Sequence, residues 1–141
     1  MPANANAVPN SIVTPQTPRS ASVLTNAAQG TFPPTTAPSN TFLLLTAGTG
    51  GGRLTRLRAT PQTTIAAAVH QLFRSRDSGT TKFFVQGVTQ GAVTVNSTTA
   101  AIPVDFGYSE DNPLVLGPNE QLYVACSVST ACVFDADYSD Y

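Results

Sequence analysis

Hydrophobic and polar positions settle into short, strand-like periods from about residue 41 onward. Phe42-Leu43-Leu44-Leu45 is an apolar run that ends at Ala47-Gly48-Thr49-Gly50-Gly51-Gly52, a strand followed by a loop. Leu54, Leu57 and Ala59 then alternate irregularly with Arg53, Arg56 and Arg58, which predicts a strand carrying a bulge. Phe83–Gln86 follows the turn signal Asp77-Ser78-Gly79 and reads as a strand, as does Ala92–Val95. Ile102, Val104, Phe106 and Tyr108 alternate strictly and predict a half-buried strand. Leu114-Val115-Leu116 closes on Gly117-Pro118-Asn119; Leu122, Val124, Cys126 and Val128 alternate next, and Ala131–Phe134 follows. Short strands about 8–12 residues apart, punctuated by Gly, Pro and Asn, indicate a sandwich or small barrel.

One segment conflicts with this pattern. Ile65, Val69, Leu72 and Phe73 sit at helical spacing behind Thr63 and Thr64, and three alanines favour helix. Local propensity alone gives a helix there. The all-β context instead predicts a strand at about 66–75.

Before residue 41 the chain reads differently. Pro2, Pro9, Pro15 and Pro18 lie among Asn, Ala, Ser and Thr, so residues 1–20 are not helical. They read as an extended arm, with a flexible tail as the alternative. Ala21–Thr25 fits a short edge strand, and residues 31–40 form a Pro-rich, polyproline-like loop. The expected organisation is an arm over 1–20 and one β domain over 21–141.

Composition sharpens the picture. Of 141 residues 41% are hydrophobic but only 11% are charged, about half the usual share, and the net charge is −1. No global field would draw such a chain to nucleic acid or to an anionic membrane. Sparse charge with abundant Thr points to a surface that neighbours cover. The N-terminus shows no basic n-region or apolar h-region, and no run approaches a membrane span, so we expect a soluble product made in a cytoplasm. The charges are segregated. Arg53, Arg56, Arg58, Arg74, Arg76 and Lys82 occupy the middle, whereas seven of the eight acidic residues lie in the last third. Two readings fit: complementary strands within one fold, or a basic face on one subunit meeting an acidic face on the next.

Candidate chemistry is thin. Gly48–Gly52 fails the dinucleotide spacing and has no phosphate-loop Lys, so a hairpin loop is expected. His70 has no nucleophile elbow beside it and reads as a structural or surface histidine. Asp105, Glu110 and Asp111 lack a Ca²⁺-loop pattern and read as a solvated loop. Asn96-Ser97-Thr98 matches a glycosylation acceptor, by chance in a chain without a secretion signal. The absence of Trp argues against a sugar platform. Cys126 and Cys132 would face each other if Gln121–Val128 and Ala131–Tyr138 formed a hairpin. They then read as two small buried apolar residues or a cross-strand disulfide, the latter disfavoured by a reducing cytoplasm. Zinc is not expected, because it takes four ligands and His70 is the only histidine. No cofactor or metal is expected. The tail Phe134–Tyr141 mixes aromatic and acidic residues; it either docks on Arg53, Arg56 and Arg58 or frays.

Leu45–Gly48, Gly52–Thr60, Val69–Phe73, Asp77–Thr80 and Leu114–Pro118 together resemble a family of small virion-associated proteins of tailed bacteriophages. The similarity spans roughly residues 41–134 and does not reach the first 40. The resemblance implies an all-β sandwich, jelly-roll-like, with a strand at the Ala-rich segment, and a structural virion role without catalysis. Capsid decoration (cement) on the major capsid protein is the expected function, as a homo-oligomer localised to the virion. A tail or neck adaptor is the alternative, and a carbohydrate-binding or hydrolytic module using His70 or Asp105 ranks last. Expected partner-binding residues are Pro9, Pro15, Pro18 and Arg19 on the arm, Arg53, Arg56 and Arg58 in the middle, and Tyr138 and Tyr141 at the end.

Overall fold

A computed structural model describes residues 16–30 and 34–141. Nine strands and no helix form among them: β1 (Thr17–Thr25), β2 (Phe42–Thr46), β3 (Gly52–Pro61), β4 (Ala68–Ser75), β5 (Phe83–Gln90), β6 (Val104–Asp105), β7 (Leu114–Leu116), β8 (Gln121–Cys126) and β9 (Cys132–Asp140). They build two antiparallel sheets. The first runs β1-β9-β3-β6, with β7 also pairing β3; the second runs β2-β8-β4-β5. Among the described residues no helix is long and apolar enough to cross a membrane.

The sheets share one core. Leu54, Leu57, Ala59, Phe134 and Ala136 come from the first sheet, and Leu44, Leu45, Leu72, Leu122 and Val124 from the second. Each strand's alternation sends these apolar side chains inward and the intervening residues outward. On β3 the alternation breaks once, at the register shift between Leu54 and Arg56 against β9. This is the expected bulge, and it keeps Leu54 and Leu57 both fully buried.

The Ala-rich segment is a strand. β4 lies between β8 and β5, and both of its edges are paired. Ala68, His70, Leu72 and Phe73 are buried there. Central placement in a sheet overrides helix propensity worth only tenths of a kcal/mol per residue, roughly. β4 and β5 form a hairpin through Asp77-Ser78-Gly79, where Ser78 and Gly79 adopt φ of 59° and 90°. Asp77 Oδ1 accepts from Ser75 Oγ and the Thr81 N–H, both at 2.8 Å. The Thr81 N–H and the Ser75 hydroxyl hold the Asp77 carboxyl below its ordinary value.

Several expectations are corrected. Cys126 and Cys132 do not sit on a hairpin: β8 pairs β2 and β4, while β9 pairs β1 and β3, so 127–131 crosses between sheets. Both cysteines are buried and free. Gly48–Gly52 is likewise not a hairpin loop, because β2 and β3 belong to different sheets. It is a tight crossing turn closed by the Gly51 N–H on Gly48 O at 3.0 Å. Gly51 has φ of +85°, and a Cβ on Gly52 would stand 2.5 Å from Ser139 O, so backbone approach dictates glycine. Residues 92–95 form no strand; Val93 makes only an isolated bridge with Ile65. The alternation at 102–108 yields just the two-residue β6, with Phe106 buried but Ile102 72% exposed. Beyond Asp105 the Phe106 N–H still bonds β3, at Leu57 O (3.0 Å), and β7 takes the Gly52–Leu54 end of the same edge. The edge strand begins at Thr17 rather than at Ala21.

Candidate interaction surface

Of the expected partner-binding residues, Pro9 and Pro15 lie outside the described residues. Pro18 and Arg19 sit on β1; Arg53, Arg56 and Arg58 sit on β3; Tyr138 lies on β9, and Tyr141 follows it. The strand order β1-β9-β3 puts these elements side by side. Arg19 opposes Tyr138 in the ladder, and Tyr138 in turn opposes Leu54. A groove of about 380 Å³ opens where β1, β9 and β3 lie side by side, lined by Pro18, Arg19, Thr55, Glu110, Asp137 and Tyr138 among others. The outer edge of β1 is unpaired among the described residues.

Charge segregation resolves as complementary strands within one fold. Arg56 pairs with Asp135 at 3.3 Å and with Asp137 at 2.9 Å, and Arg58 reaches Asp135 at 3.9 Å. Arg53 holds Glu110 at 2.9 Å, and Arg19 holds Asp140 at 2.5 Å. The acidic tail is therefore β9 itself, laid in register along β3 through Asp140. Tyr141 closes the arrangement by donating its N–H to Gly51 O at 3.1 Å. These pairs are partly exposed, each worth about 0.2–1 kcal/mol, so they set register more than stability. Lys82, the one lysine, lies 4.8 Å from the centre of the Tyr123 ring. Arg19, Arg53, Arg56 and Arg58 are thus each paired to a carboxylate of their own chain, while the Nε atoms of Arg53, Arg56 and Arg58 are buried with no hydrogen-bond partner among the described residues.

A second charged cluster was not anticipated. Glu120, fully buried, accepts from Arg74 Nε at 3.1 Å, Arg74 Nη2 at 2.5 Å, Arg76 Nε at 2.8 Å and the Gly117 N–H at 3.1 Å. Burial pushes its carboxyl up, but both guanidiniums and the Gly117 N–H outweigh that and hold it below the ordinary value. Arg74 Nη2 also donates to Val115 O on β7, so the clamp ties the second sheet to the first. The acidic residue beside the turn signal at 117–119 was its one trace in the sequence. Of the expected loop carboxylates, Asp105 acts locally, its Oδ1 accepting the Gly107 N–H at 2.6 Å, whereas Glu110 reaches across to Arg53 on β3.

Apolar side chains break the surface elsewhere. Phe83 and Phe84, at the start of edge strand β5, are 54% and 42% exposed, and Leu24 and Leu43 are similarly open. His70 is fully buried, 5.5 Å from Phe134 in an edge-to-face contact. The hydrogen bond between the neighbouring cysteines pulls Cys126 down and pushes Cys132 up, while burial pushes both up. No family model, curated protein or solved structure matches the chain.

Proposed function

We propose that the protein is a non-enzymatic structural component of a tailed-phage virion. It acts as a decoration (cement) protein that binds the major capsid protein and assembles as a homo-oligomer on the shell. Its fold is then a jelly-roll-like β-sandwich, with the arm shortened to residues 1–15, ahead of β1, as a strap toward a neighbour. The observation that carries this reading is β1. It is an edge strand whose outer side is unpaired among the described residues, it follows the Pro-spaced first 15 residues, and it borders the groove at Pro18, Arg19 and Ser20. An open edge accepts an added strand from another chain, with the alternate side-chain pockets giving specificity. Exposed Phe83 and Phe84 on β5 offer apolar area of the kind that contacts between copies bury. Many modest contacts repeated over a shell add through effective concentration.

Co-sedimentation with expanded capsids tests the reading. The full chain is expected to pellet with shells, and a chain lacking residues 1–15 is expected to pellet several-fold less. A full chain that stays in the supernatant overturns the proposal.

A further inference from the structure

Three side chains from both sheets converge inside the core: His70 on β4, Cys126 at the end of β8 and Cys132 at the start of β9. All three are fully buried, and their donor atoms lie within 4.8 Å of one another. His70 and Cys126 are direct ladder partners and so point to the same side of their sheet. Cys132 arrives from the opposite sheet after the 127–131 crossing.

The histidine is arranged as a ligand is. Its Nε2 meets Gln90 Oε1 at 2.6 Å, and with Nε2–H donating there, Nδ1 carries the free lone pair. Nδ1 is buried and has no hydrogen-bond partner among the described residues. A metal-binding imidazole characteristically gives its other N–H to a carbonyl or carboxylate, which fixes ring and tautomer. The Phe134 ring, edge-to-face at 5.5 Å and 80°, holds the same orientation. A disulfide would use the two sulfurs and leave Nδ1 unmatched; one thiophilic cation satisfies all three groups.

We propose that His70, Cys126 and Cys132 form a buried site for a divalent thiophilic cation, Zn²⁺, that staples the two sheets together. Two thiolates and a neutral imidazole give the site no net charge once the ion is in, which suits a dry core. Binding releases two thiol protons to solvent, and no electron moves. The protein supplies three donors, and the fourth position of the tetrahedral shell falls to a water molecule carried in with the ion. Because the site is closed, the ion enters as the chain folds. Counting ligands along the sequence argues against zinc; the crossing between sheets supplies the convergence that spacing hides.

The test refolds the full chain under reductant with Zn²⁺ or with a chelator, followed by desalting and elemental analysis. One equivalent of zinc is expected to remain, with Tm above that of the chelated protein. Co²⁺ in place of Zn²⁺ is expected to give thiolate-to-cobalt charge-transfer absorption, reduced by about half in Cys126→Ser and in Cys132→Ser. Folded wild-type protein that keeps no zinc overturns the proposal, even if the variants fail to fold. So do zinc retention unchanged in the double Cys→Ser variant, and formation of a Cys126–Cys132 disulfide in the presence of Zn²⁺.

Discussion

Replacing Glu120 with Gln removes one carboxylate from a place where four donors converge. Arg74 supplies two of them, and Arg76 and the Gly117 N–H supply the others, all within 3.1 Å. An amide of the same shape still offers one oxygen, but its NH₂ faces the guanidiniums with donor against donor. Breaking a buried ion pair from one side costs about 3–5 kcal/mol. Here the stranded arginines are not buried to match: the Arg74 and Arg76 side chains are 25% and 75% exposed and recover hydration. The expected loss is therefore about 2–3 kcal/mol, between the buried-pair cost and that of charged hydrogen bonds. Urea unfolding should show it as a lower midpoint with an unchanged m-value. The pH dependence gives a second reading. The folded Glu120 carboxyl lies below its ordinary value of 4.5, so its contribution is fully present above about that pH. It fades as pH falls through the lower folded value. Asp77 carries a shift of the same sign and stays in both proteins, so the difference between the two acid profiles isolates Glu120. A loss below about 0.5 kcal/mol, or parallel acid slopes in wild type and variant, would refute the clamp.

Phe134→Ala removes a ring packed against both His70 and Phe106, and thermal unfolding should show a loss of about 3–5 kcal/mol. Gly52→Ala would push a Cβ to 2.5 Å from the Ser139 carbonyl, where backbone has to give. We expect it to cost about 1–3 kcal/mol in the same assay. A double-mutant cycle on Arg56 and Asp137, 2.9 Å apart and both partly exposed, should yield a coupling of about 0.2–1 kcal/mol. That coupling should shrink in high salt.

Periodicity was legible within most single strands, although the alternation at 102–108 gave only two-residue β6 and 92–95 gave none, and the placing of strands into sheets was not legible. The break in alternation at Arg53–Arg58 became the bulge between Leu54 and Arg56, because inward and outward positions are a local property of β3. The strand at β4 could be preferred only from the surrounding β pattern, since its helical spacing was resolved by pairing on both edges. The misplaced hairpins had one cause. Gly48–Gly52 and Ser127–Ala131 are short enough to join neighbouring strands, yet each crosses between sheets, and nothing in a short turn encodes which sheet follows. The charged face was half visible. Alternating Arg56 and Arg58 matched alternating Asp135 and Asp137, but only the register showed them as one sheet's outer face. The Glu120 clamp and the His70–Cys126–Cys132 cluster join residues far apart in the chain, so no spacing announces either.

The central claim is that this chain covers a capsid shell. Quantitative mass spectrometry of purified virions, scaled to the major capsid protein, tests it most directly. Decoration predicts on the order of hundreds of copies per particle, set by the symmetry of the shell. About a dozen copies, the count of a closed neck ring, or no copies at all, would contradict it.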